Sequence, residues 1–276
     1  MRIGTALTDS GGEQVVAESV GELLPLDVPA GVPLRELIAR GTPLRVAERA
    51  EPLRGARLTV PLRPAKIVAI GLNYADHVRE AGMEAPARPL VFAKFTSSLV
   101  ADGDVIEIDC AIAERVDWEV ELAVVVGRRM RNVLAEQALA SVFGYTVAND
   151  VSARDVQFGD GQWIRGKSLD TFCPLGPAIV TADEVADPQA LALRTRVNGE
   201  TVQDSTTAEM VFGVAELLAF CSRSFTLDPG DVLLTGTPWG CGEFMDPPRS
   251  LRDGDVVEVE VDGVGRLRNP VREVTA

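Results

Sequence analysis

The chain has 276 residues, 46% of them hydrophobic and 25% charged, which fits one large globular domain, or a small one beside a large one, and excludes a disordered chain. Its net charge of −14, from 41 acidic and 27 basic residues, argues against nucleic acid and anionic membranes as partners. No apolar run reaches the roughly 20 residues of a membrane span. The start Met1-Arg2-Ile3-Gly4 has no signal-peptide pattern, and Cys110, Cys173, Cys221 and Cys241 make no Cys-x-x-Cys pair. These features predict a cytoplasmic protein in a reducing compartment and argue against zinc ligation or a disulfide framework.

Residues 1–65 differ from the rest. They hold β-like pieces (Gln14 to Glu18), a short helix at Val32 to Ile38, and a Pro-rich connection around Pro61 and Pro64. They are read as a small N-terminal domain, with residues 66–276 forming the larger one. The larger part opens with a buried strand, Lys66 to Ile70, followed by helical spacing from Asn73 to Ala81. That segment carries the one histidine of the chain, His77, with Glu80 three residues on. On a helix the two side chains share a face. A carboxylate that orients an imidazole makes a general base able to activate water. The alternative is a surface histidine on a polar helix.

The segment Asp117 to Val126 reads as a strand, because β-branched residues dominate and apolar positions alternate. Trp118, Val120, Leu122, Val124 and Val126 fall on one face, and Asp117, Glu119 and Glu121 on the other. Stacked carboxylates repel and are costly to desolvate. A hard divalent cation with oxygen ligands answers both problems; a strand with one wet face is the alternative. Helical spacing returns in Leu134 to Val142. The strand Gly144 to Asn149 then delivers Asp150, a third acid that completes an oxygen set or serves as a cap. Ser152-Ala153-Arg154-Asp155 resembles a helix-start capping box.

Lysine is scarce: Lys66, Lys94 and Lys167 are the only three. Lys94 and Lys167 sit among apolar or small residues, which is unusual for a solvated lysine, and each is a candidate partner for a substrate carboxylate. Two hairpins follow, turning at Asn198-Gly199 and at Asp262-Gly263, with a helical stretch at Ala208 to Cys221. The strand Asp231 to Leu234 ends in a small-residue loop, Thr235 to Gly242, which lets backbone N–H groups and a hydroxyl approach a ligand. It lacks the Gly-Lys-Ser/Thr ending of a phosphate loop. The pattern is β-rich α+β, without a βαβ rhythm.

Six segments in order, GLNYADHVRE (71–80), WEVELAVVVG (118–127), GYTVANDVSARDVQ (144–157), WIRGKSLDTFCPLGP (163–177), VNGETVQDS (197–205) and PGDVLLTGTPWGCG (229–242), resemble the fumarylacetoacetate hydrolase family. The likeness is to its acylpyruvate hydrolase and 2-hydroxyhepta-2,4-diene-1,7-dioate isomerase branch. The resemblance implies a mixed β-roll behind a small N-terminal domain, and a homodimer. It implies Mg2+ or Mn2+, with Ca2+ as a substitute, held by Glu119, Glu121 and Asp150. It implies a catalytic dyad, His77 and Glu80, on a lid helix, a charge-balancing Lys167, and substrate contacts from Arg154, Gln157 and Thr237. The substrate class is a small 2-oxo or 2,4-dioxo acid, whose metal-bound enolate forms as a C–C bond breaks.

The first expectation is metal-dependent C–C hydrolysis of an acylpyruvate or 2,4-dioxo acid. The alternatives are decarboxylation or tautomerisation of oxaloacetate or a 2-hydroxy-dienedioate at the same site, and a non-catalytic metal-binding scaffold. The chain departs from the family pattern at Phe95, Leu169, Cys241 and Glu243. These positions are expected near the substrate pocket, with Glu243 pointing to a less acidic or differently shaped substrate end.

Overall fold

The computed structural model describes residues 1–9 and 11–275. A long mixed sheet carries the site. Its order is Glu22–Pro25, Glu13–Ser19, Arg2–Leu7, Cys173–Thr181, Val142–Asn149, Val120–Val126, Val232–Leu234, Ile67–Gly71 and Leu90–Lys94. A second sheet runs Glu200–Thr206, Ala192–Val197, Val256–Val261, Gly265–Val274 and Ile106–Asp109. Most neighbours are antiparallel, but Val232–Leu234 pairs Ile67–Gly71 in parallel, and so do Gly265–Val274 and Ile106–Asp109. This is the mixed β-roll and β-rich α+β class expected from the sequence. No described helix is long and apolar enough to cross a membrane.

The Val120–Val126 strand lies inside the long sheet, between Val142–Asn149 and Val232–Leu234. The predicted alternation holds, yet neither face is wet, since every residue from Val116 to Val126 is buried. Trp118, Val120, Leu122, Val124 and Val126 join a core shared with Leu193, Val257, Val259 and the helix residues Leu217 and Leu218. Ala123 and Val125 join the opposite core, with Ile67, Ala69, Ile179 and Leu234. The half-exposed strand is therefore excluded: a strand this deep buries its carboxylates as well as its aliphatic side chains.

The strand is also shorter than the pattern predicts. Val116–Asp117 pairs with Ser152–Ala153, and the main ladder starts only at Val120. Between them Glu119 donates its N–H to Asn149 Oδ1 at 3.0 Å, a side-chain bond where a ladder bond would stand. Ser152 does not open a capping box. It sits in that short strand and donates its hydroxyl to Asp150 O, while the Arg154–Asp160 helix starts at Ala153 with no side-chain cap.

Helices form where the periodicity places them but are trimmed. The expected helix at 73–81 is Ala75–Glu80, because Asn73 uses both ends of its amide on the backbones of Phe212 and Thr235. The segment 134–142 divides into a helix at Ala135–Ala138 and a 3-10 turn at Leu139–Ser141, with Val142 already a strand. Val211 precedes the helix Val214–Ser224, whose buried face includes Val214, Leu217, Leu218 and Cys221. In the first 65 residues the short helix is Leu34–Arg40, and Arg2–Leu7 adds to the long sheet by pairing Arg2 with Val180 and Ile3 with Ile179.

Leu122 is fully buried in this strand. Leu122→Ala should lower unfolding free energy by about 2–5 kcal/mol in denaturant titration; a loss under about 1 kcal/mol would place this residue outside a packed core.

Candidate active site

Register brings three acids together. Val120 faces Asn149 and Glu121 faces Ala148, so Asp150, one residue past its strand, donates its N–H to Glu119 O at 2.9 Å. Carboxylate oxygens of Glu119, Glu121 and Asp150 lie within 4.8 Å of one another, all buried. At this cluster four buried carboxylates, with Asp117 the fourth, meet the buried cations Lys94, Arg154 and Lys167. Arg154 reaches Asp117 Oδ1 at 2.8 Å and Glu119 Oε1 at 2.5 Å. Lys167 Nζ reaches Glu119 Oε2 at 2.7 Å and Asp150 Oδ2 at 2.9 Å. Lys94 Nζ reaches Asp150 Oδ1 at 2.5 Å, together with the carbonyls of Val151 and Lys167.

This network divides the acids. Burial works against ionised Glu119, but Lys167 and Arg154 outweigh it and hold its pKa down at about 2. Glu121 goes the other way: burial, then the charges of Asp150 and Glu119, push its pKa well above the ordinary carboxylate range. Burial also opposes the charge on Lys167, yet Asp150 and Glu119 more than compensate and raise its pKa. The acids outnumber the cations by one, and Glu121 is the one with no ion pair among the described residues. A divalent ion would hold Glu121 ionised. The donor set is all oxygen, which suits a hard ion. Oxygens that already accept one hydrogen bond keep a second lone pair for it. The three carboxylates therefore fit a divalent cation.

The dyad also assembles. His77 Nδ1 lies 3.0 Å from Glu80 Oε2 on the Ala75–Glu80 helix, and Glu80 Oε1 accepts the Gly240 N–H at 2.8 Å. The ring of Phe244 packs edge-on to the imidazole, 5.2 Å between centroids. The helix is docked: Ser205 donates its hydroxyl to Asp76 Oδ2, and Val211 donates its N–H to Asn73 O. The same Phe244 ring lies 6.0 Å from the guanidinium of Arg154, which links the imidazole to the arginine that binds Glu119. Gln157 Oε1 accepts from Arg154 at 3.1 Å. Thr237 follows Gly236, whose N–H donates to Glu121 Oε2 at 2.7 Å. The nine residues singled out in the sequence thus form one connected cluster. Beside Glu80 a cleft of about 760 Å³ opens, lined by Trp239, Gly240, Phe244, Met245 and Arg249 among others.

Other expectations need correction. Lys94 is fully enclosed and satisfied by Asp150, so it is no substrate ligand. Glu243 is not a free acid at the substrate end, since its carboxylate is held in a bidentate pair by Nε and Nη2 on one guanidinium edge of Arg115. Phe95 points outward, 57% exposed, and Leu169 packs on the core. The sequence gives no role to Asn73 or Gln203 and no partner to Asp117. Gln203 accepts from Val120 N–H and Thr195, and donates to Thr237 Oγ1 at 3.0 Å, tying the acidic strand to the Thr235–Gly242 loop. Its signal was a glutamine at an inward position of a hairpin strand. Asp117 was visible as a third acid on the strand but could not be assigned to Arg154 without the fold.

The family described as Fumarylacetoacetate (FAA) hydrolase C-terminal matches residues 66–272, and the chain belongs to this fumarylacetoacetate hydrolase family. An oxaloacetate tautomerase of Xenopus laevis, named as mitochondrial, is 51% identical over 208 residues, which are 75% of this chain and 65% of that protein's length. The solved structure of a fumarylacetoacetate hydrolase from psychrophilic Exiguobacterium antarcticum superposes with a TM-score of 0.91 at 38% identity, over 99% of this chain and all of that one. A 2-hydroxyhepta-2,4-diene-1,7-dioate isomerase from Mycobacterium marinum gives 0.82 at 35% identity, over 99% and 98% of the two chains.

Two measurements test this site. Mn2+ at a hundred times its Kd should stabilise the protein by about 2.7 kcal/mol, read as a rise in Tm, and Glu121→Gln should lose most of the rise; an undiminished rise removes Glu121 from the ligand set. Lys94→Met should cost about 3–5 kcal/mol in denaturant titration, because it strips Asp150 of a buried partner. A cost below about 1 kcal/mol would show that Lys94 does not hold that charge.

Proposed function

We propose that this protein is a metal-dependent tautomerase or isomerase that moves a proton along a small 2-oxo dicarboxylic acid, with oxaloacetate as the leading substrate. The observation that carries the reading is an imidazole held at Nδ1 by Glu80 and packed on Phe244, whose ring also faces the Arg154 that binds Glu119 of the buried three-carboxylate cluster. The frog relative is named an oxaloacetate tautomerase and the Mycobacterium marinum neighbour an isomerase, and both support it.

A bound divalent ion, held by Glu119, Glu121 and Asp150, would supply Lewis-acid stabilisation of an enolate oxygen. The chain does the rest. Glu80 fixes the Nδ1–H tautomer of His77, which leaves Nε2 as the base. His77 Nε2 takes the proton from the carbon next to the keto group and returns it to the enolate oxygen. Lys167, kept charged by its carboxylate neighbours, offsets the negative charge that develops. Arg154, Gln157 and Thr237 orient the carboxylates of the substrate, with the Thr237 hydroxyl free to donate because Gln203 already donates to its oxygen.

Hydrolysis of an acylpyruvate C–C bond is the second reading. The intact dyad favours it, since a base of this kind can also activate water. The Exiguobacterium neighbour, named a fumarylacetoacetate hydrolase, favours it too.

The experiment supplies Mg2+-loaded protein with oxaloacetate or with acetylpyruvate and follows proton NMR. Keto–enol exchange of oxaloacetate faster than in buffer, slowed by about 10²–10⁴-fold in His77→Ala, is the expected result. Buffer-rate exchange together with release of pyruvate and acetate from acetylpyruvate would transfer the assignment to the hydrolase.

A further inference from the structure

Cys241 has no role in the reaction proposed above, yet the fold places it against the dyad. Its Sγ, a ring nitrogen of His77 and a carboxylate oxygen of Glu80 lie within 4.8 Å of one another. Cys241 is fully enclosed and His77 only 5% exposed. Three constraints bring these atoms together. His77 and Glu80 are three residues apart on one helix. Glu80 is tied to the backbone of Gly240, the residue before Cys241. Gly240 in turn is locked by its position: φ is +95°, and a Cβ there would lie 2.1 Å from Val202 O. Only glycine lets the loop pass the hairpin this closely and turn the thiol toward the helix.

One nitrogen, one oxygen and one sulfur do not suit Mg2+, which takes oxygen ligands. They suit a borderline-soft ion with about 2.0–2.3 Å bonds and a fourth position left open. We propose that His77, Glu80 and Cys241 form a second metal site, selective for a zinc-class divalent ion and separate from the all-oxygen cluster of Glu119, Glu121 and Asp150. Binding forms a metal–sulfur bond as the thiol proton passes to solvent, with no change of oxidation state. Burial holds the free thiol protonated; a directly bonded dication reverses that preference. The ion would engage the imidazole that the proposed reaction uses. On that reading, zinc inhibits while magnesium activates.

The test is spectroscopic and needs no turnover. Co2+ is titrated into the protein with Mg2+ in excess, and the near-ultraviolet thiolate-to-cobalt charge-transfer band is recorded. The band is expected in the unaltered protein, absent from Cys241→Ala and Cys241→Ser, and retained in Glu121→Gln. His77→Ala should weaken Co2+ by roughly tenfold or more. Circular dichroism establishes that each variant is folded, and the two Cys241 variants stand in for each other. No band in the unaltered protein, or a band that survives loss of Cys241, overturns the site. A band lost in Glu121→Gln overturns its separateness. Failure of the tautomerase assay with the band intact would count against the proposed reaction alone.

Discussion

Carboxylates are held out of water at the end of a strand buried on both faces, and the rest of the site answers to that electrostatic problem. A lone ionised carboxylate in such a place would be expelled or protonated. Here Arg154, Lys94 and Lys167 converge from three different parts of the chain to oppose Asp117, Glu119 and Asp150. The cations are one too few, and Glu121 is the acid left without an ion pair among the described residues. That shortfall makes the cluster receptive to a cation, whereas a fully paired network would be only structural.

The second requirement is mechanical. The acids sit on a rigid sheet, and the dyad sits on a six-residue helix too short to hold itself in place. Its position is imposed from outside. Asn73 pins the helix entrance to Phe212 and Thr235, Asp76 meets Ser205, and Glu80 meets Gly240. Gln203 then ties the same loop back to Val120, between the two glutamates. Helix, loop and acidic strand are thus one hydrogen-bonded unit, though they are far apart in sequence.

A base beside an enolate-stabilising centre serves proton transfer, C–C hydrolysis and decarboxylation alike, and fold alone does not select among them. The selection lies in what fills the cleft by Glu80 and in whether water reaches the imidazole. In this chain that cleft is lined by Trp239, Phe244 and Met245 together with the charged side chains of Glu200, Asp246, Arg249 and Arg252, so its wall is of mixed polarity.

Local pattern along the chain is enough for the elements and the candidate chemistry. Alternation over 118–126 defines the two faces of the strand, and the i, i+3 spacing places His77 beside Glu80. Six ordered motifs point to the family, and with it to the nine site residues that the fold draws together. Periodicity reports which face a residue occupies but not what covers it, so only the sheet order removes the wet-face alternative for Glu119 and Glu121. Lys94 and Glu243 mislead for the same reason: a charge has no partner in a linear sequence, and the partners, Asp150 and Arg115, lie 56 and 128 residues away. Which charges pair, that one carboxylate is left over, and that the Cys241 thiol faces the dyad are all consequences of the folded arrangement. Sheet order and loop packing fix such long-range pairing, and local pattern, which sets hairpin register, does not reach across 56 or 128 residues.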